Sequence, residues 1–289
     1  MQSIIDSINE WLKELLISGI TGNLSGMFDS VNQKVGEIAG EVGKIPSAWN
    51  DGIFSMIHSL SETLIIPIAG IILTFVMCYE LIQMVIDKNN LHEIETFMFF
   101  KWVFKTFVAV MIITNTFNII MAIFDMSQHV VSGAAGVIIT DTSIDITTII
   151  ADMETRLAQM ELGSLFGLWI QSAFVGITMH ALTICIFVII YGRMIEIYLM
   201  TSMGAIPFAT MVNREWGSMG QNYMKSMLAL GFQAFLIMVC VGIYAVLVQS
   251  IATDEDVFVA IWTCVGYTVL LCFTLFKTSS LAKSIFNAH

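Results

Sequence analysis

The chain has 289 residues, 57% of them hydrophobic and only 12% charged, where soluble domains average about 45–50% apolar and about 25% charged residues. With a mean hydropathy of +0.83 and long uncharged apolar runs, this composition excludes an ordinary soluble domain and implies a polytopic membrane protein. A net charge of -11 argues against a basic nucleic-acid-binding surface.

In chain order, the first element is residues 2–17, where Ile4, Ile5, Ile8, Trp11, Leu12, Leu15 and Leu16 recur with helical period. This segment is too short and too charged to span, and it reads as an interfacial amphipathic helix. It lacks the basic start and unbroken apolar core of a signal peptide. Leu24, Phe28, Val31, Val35, Ile38, Val42, Ile45 and Trp49 follow at alternating four- and three-residue spacing, a heptad seam. Glycines at 36, 40 and 43 and Pro46 weaken an isolated coiled coil. The seam packs either on the chain's own bundle or between subunits. Residues 1–60 thus form an extracytoplasmic amphipathic helical region, and 61–289 an all-α transmembrane domain.

A span needs about 20 apolar residues to cross about 30 Å. Five are predicted, at about 62–86, 99–124, 164–192, 226–250 and 257–276. The connections at 87–105 and 193–225 and the C-terminal tail hold Lys88, Lys101, Lys105, Arg193, Arg214, Lys225, Lys277 and Lys283. The intervening regions are acidic, with Asp125, Asp141, Asp145, Asp152, Glu154 and Glu161 in one and Asp254, Glu255 and Asp256 in the other. The positive-inside rule then places the N-terminus outside and the C-terminus in the cytoplasm.

The third span passes Arg193 and Glu196, stops at Gly204 and Pro207, and turns polar at Asn213, Arg214 and Glu215. A sixth crossing would carry Arg214 and Lys225 outside, so the charge pattern favours a dip or an interfacial elbow over a crossing. Arg193 and Glu196 stand at i,i+3 and can pair, or Arg193 snorkels to the headgroups. Glu80 near the inner end of span one and Lys101 and Lys105 at the start of span two either meet, Glu80 against Lys105, or snorkel separately. His180 lies in mid-span, either a functional group or a hydrogen-bonding link to a neighbouring helix. Asn115, Asn118 and Gln233 read as links of the same kind.

No Walker loop, HExxH, GxSxG or dinucleotide turn appears. The five histidines and five cysteines show no ligand spacing. No catalytic residue, cofactor or metal is therefore expected.

The segment "GAIPFATMVNREWGSMGQNYMKSMLALGFQAFLIM", residues 204–238, follows a long span ending in Arg-x-x-Glu and precedes an uncharged span. That pattern resembles the TrbL-like polytopic membrane subunits of conjugative type IV secretion systems, above all the short versions of Firmicutes integrative conjugative elements. The likeness covers all five spans and is strongest over 190–250. Arg193, Glu196, Pro207, Arg214 and Trp216 match the family's elbow. The resemblance implies a channel subunit in the cytoplasmic membrane, a homo-oligomeric ring, and association with the system's ATPases and smaller membrane subunits, with transferred DNA or protein passing as substrate. It implies no catalytic residues. The alternative is a small-molecule or ion transporter, which commonly shows internal repeats and paired broken helices at midplane. An intramembrane enzyme lacks any nucleophile–base pair here.

Overall fold

A computed structural model describes residues 2–87, 96–141, 146–251 and 257–288. The basic connection with Lys88 and the acidic positions Asp145, Asp254, Glu255 and Asp256 lie outside the described residues, as do the side chains of Phe28, Val31 and Val35. Every described element is helical: α1 (Gln2–Val42), α2 (Pro46–Trp49), α3 (Asp51–Leu60), a π-turn (Ser61–Ile65), α4 (Ile66–Asp87), α5 (Thr96–Thr114), α6 (Thr116–Asp141), α7 (Ile146–Leu157), α8 (Leu162–Ser202), α9 (Ala205–Thr210), α10 (Gly217–Ile251) and α11 (Val257–Ile285). Among the described residues, five helices are long and apolar enough to cross a membrane: Asp51–Ile86, Phe97–Thr114, Leu162–Ser202, Gly217–Ser250 and Val259–Ile285. The chain is an all-α polytopic membrane protein.

The elements differ from the sequence reading in three places. The amphipathic start and the seam form one helix of 41 residues, about 60 Å at ~1.5 Å per residue. That helix ends at Val42, so Ile45 and Trp49 leave its stripe. Pro46, which has no N–H to donate, opens α2 instead, with Ile45 as its extended N-cap. The second span, read as 99–124, divides at Asn115 into α5 and α6. There Asn115 Nδ2 and Thr114 Oγ1 bond back to the carbonyls of Met111 and Val110, both at 2.9 Å. Such local side-chain bonds compete with the helical ladder.

The chain forms two compact units. One comprises residues 1–42, 131–190 and 236–277, the other 43–130, 191–235 and 278–289; α6, α8, α10 and α11 contribute a segment to each. In the first, α1 packs on α7 and buries Leu24, Ile38 and Val42 together with Met153 and Leu157. Gly19 admits the Trp169 ring, whose Nε1 would lie 2.6 Å from a Cβ there. Asn23 Nδ2 donates to Ser172 Oγ at 2.9 Å. In the second unit one core joins Leu73 and Met77 of α4, Ile113 of α5, Ile120 of α6, Met194 of α8, Phe208 of α9 and Met227 of α10.

Candidate functional site: the broken helix and its polar turn

α8 stops because Gly204 and Pro207 interrupt its ladder, and six residues then re-form as α9. Such a short helix has no stability of its own. Burial supplies it: Ala205, Phe208 and Ala209 are fully covered, and α9 packs on both α4 and α5. Close approach makes this possible. A Cβ on Gly204 would lie 2.6 Å from Ile120 Cδ1 and from Tyr223 Oη, and one on Gly220 would lie 2.6 Å from the Pro207 carbonyl oxygen. The break therefore sits beside the apolar middle of α4, in a core with Ala69, Leu73 and Met77. Burial holds α9 in this core, because its three apolar side chains are worth more covered than exposed.

Only the turn after α9 is polar and reaches the surface. Asn213 is buried while Arg214 and Glu215 are exposed and Trp216 is 37% exposed. Asn213 Nδ2 donates to Glu80 Oε2 at 2.8 Å, and the other oxygen of Glu80 accepts from Lys105 Nζ at 2.5 Å. Glu80 and Lys105 are thus together, with side chains 17% and 35% exposed. Glu215 accepts from Gln83 at 2.8 Å and from Tyr79 at 3.2 Å. Trp216 lies parallel to Phe75 and Tyr79, with ring centroids 5.8 and 5.4 Å away. The whole turn is fastened along the C-terminal half of α4. Beside it opens a cleft of about 850 Å³, lined among others by Glu80, Lys101, Lys105, Asn213 and Arg214.

The remaining candidates fall elsewhere. Arg193 and Glu196 do not hydrogen-bond each other. Arg193 is buried and donates from Nε and Nη2 to the Leu230 carbonyl oxygen at 3.3 and 3.2 Å, and its Nη1 bonds to no described residue. Glu196 instead accepts from Lys283 Nζ at 3.0 Å. Tertiary neighbours on α10 and α11 prevail over the local i,i+3 pairing. Trp49 meets the rings of Tyr191 and Tyr198 at 5.2 and 5.9 Å. His180 is exposed and has no hydrogen bond with any described residue. Asn115 bonds its own helix, whereas Gln233 does link helices, donating to Thr278 at 3.2 Å. Sequence reasoning missed Asn213 as the centre of the polar cluster, as well as Tyr79 and Gln83. An i,i+4 pair of side chains that bond carboxylates, near the end of an apolar run, was the available signal.

Among the described residues no group of three or more His, Cys, Asp or Glu side chains is placed to hold a metal. The geometry is that of a structural junction: a buried helix break, an ion pair tied to it and an aromatic stack.

No curated protein and no solved structure matches the chain. A family model described as TrbL/VirB6 plasmid conjugal transfer like protein matches residues 31–205. The match starts within the N-terminal seam and ends at α9, so it lies mostly ahead of residues 190–250, where the sequence resemblance is strongest. It spans more than half of the chain, and this polytopic membrane protein belongs to the TrbL/VirB6 family of conjugal transfer proteins.

Proposed function

We propose that the chain is a channel or scaffold subunit of a conjugative type IV secretion system in the bacterial cytoplasmic membrane, with its N-terminus outside and its C-terminus in the cytoplasm. It works as a homo-oligomeric ring beside the system's ATPases and smaller membrane subunits, through which DNA or protein passes. Family membership supports the transfer role. One observation carries the ring: His180, in the middle of the apolar run of α8, faces outward on a single chain. Ionisable side chains at bilayer depth turn to protein or to a water-filled cavity, not to lipid. A second copy against this face gives the imidazole such surroundings. The buried seam residues Leu24, Ile38 and Val42 do not offer that surface, because their own chain covers them.

The test is a photocrosslinking amino acid in place of His180, activated in membranes. Crosslinked species larger than one chain are expected, and donor cells carrying the crosslinked variant should lose transfer. A chain that stays monomeric while transfer proceeds normally would remove the ring. One observation favours the alternative of a small-molecule or ion transporter: the helix break lies beside the middle of α4, as in transporters with discontinuous helices. Such sites present unwound backbone to a ligand, whereas the surroundings of α9 are apolar and close-packed. Wild-type transfer in a deletion strain would favour the transporter.

A further inference from the structure

The described lining of the cleft beside the polar turn has an unbalanced charge. Lys101, Lys105 and Arg214 line it against one acid, Glu80. Glu80 is matched by Lys105 and Asn213, and Glu215 is bonded to Tyr79 and Gln83. Lys101 and Arg214 are exposed and have no hydrogen bond or ion pair with any described residue. Among the described residues, two cations without a partner therefore face one concavity. Ser218 and Gln221 add neutral hydrogen-bonding groups to its wall.

The rest of the lining is apolar: Met84, Phe97, Met98, Trp102, Met211 and Val212. Phe97 belongs to an exposed stripe on α5 that continues through Phe100, Phe104 and Phe107, each more than 60% exposed. These rings occur at helical i,i+3 and i,i+4 spacing and face lipid once the helix is in a bilayer. The cleft thus joins cations with an apolar lining, and through Phe97 it meets a lipid-facing stripe. A soluble anion uses only the first of these features, whereas an anionic amphiphile uses all three.

We propose that this cleft binds an anionic phospholipid. The headgroup phosphate lies between Lys101 and Arg214, and the acyl chains run over Phe97 and along α5. Basic pockets beside membrane helices recognise lipid headgroups in this way. The inference rests on the membrane placement of α4 and α5 and not on the transfer role.

Native mass spectrometry of the full chain in neutral detergent tests it, with phosphatidylglycerol and phosphatidylcholine offered separately. The wild type should retain phosphatidylglycerol in preference. At about fivefold per basic residue, Lys101→Gln with Arg214→Gln should weaken that retention roughly 25-fold. Lys13→Gln should leave it unchanged, and Lys101→Arg should preserve it. The replaced side chains are exposed and unpartnered among the described residues, so an unchanged melting temperature should accompany the loss. Equal retention of the two lipids by the wild type, or unchanged retention by the double variant, would overturn the proposal. Displacement of the lipid by free glycerol phosphate at equal concentration would also overturn it, by assigning the cleft to a soluble anion.

Discussion

Adding a single methyl group at Gly220 probes how tightly the helix break is held. A Cβ there would stand 2.6 Å from the Pro207 carbonyl oxygen and 2.7 Å from Met211 Cβ. Ordinary contact begins at 3.4 Å, so α9 or α10 must retreat by about 0.8 Å. The obstruction at Pro207 is backbone and no rotamer change relieves it. Overpacking of this kind costs about 1–3 kcal/mol. Alanine in a helix interior otherwise gains about 1 kcal/mol over glycine, which would mask part of the loss. Gly70→Ala on α4 removes that ambiguity, because a methyl group added there would meet nothing within 4 Å. The difference between the two variants isolates the packing cost. At ~2–4 °C per kcal/mol, Gly220→Ala should melt roughly 2–12 °C below Gly70→Ala in detergent, followed by intrinsic fluorescence at one scan rate. Equal melting temperatures would refute the seating of α9 against α10.

Glu80→Gln should destabilise the protein by about 1–2 kcal/mol, the value of a charged hydrogen bond discounted for the exposure of Lys105. Adding Lys105→Met should recover part of that loss in a double-mutant cycle, and strict additivity would mean that the pair is not coupled. With an outside N-terminus, a cysteine replacing exposed Glu154 should react with an impermeant thiol reagent on whole cells, and one replacing exposed Ser218 should not. Reaction at position 218 under these conditions would invert or abolish the proposed orientation.

Apolar length and charge made the five spans legible, since hydrocarbon thickness dictates both. The continuity of α1 was not legible. Its glycines at 22, 26, 36 and 40 each cost about 1 kcal/mol relative to alanine, which reads as interruption. They have nothing within 4 Å of a Cβ position, while Ile20, Leu24, Met27, Ile38 and Ala39 are buried. Tertiary burial on one face outweighs propensity on the other. The site divides in the same way. Glycine and proline announced the break, and the basic residues announced a polar turn. Nothing local showed that α9 would be buried, or that Arg193 would take the Leu230 carbonyl while Glu196 reached Lys283. Those partners are set by helices far away in sequence.

Asn213 shows why the turn holds its shape although three of its neighbours are exposed. Its Oδ1 accepts from the backbone N–H groups of Glu215 and Trp216, at 2.8 and 3.1 Å. These donors just ahead of α10 would otherwise lack partners, as at any helix start. Its Nδ2 meanwhile donates to Glu80, which holds Lys105. One amide thus satisfies the start of α10 and ties it to α4 and, through Glu80, to α5. Aspartate at this position would keep the cap but set a second carboxylate against Glu80, and serine would cap without reaching it. The amide is the side chain that does both, so the polar turn is fixed by the same ion pair that joins the first two spans.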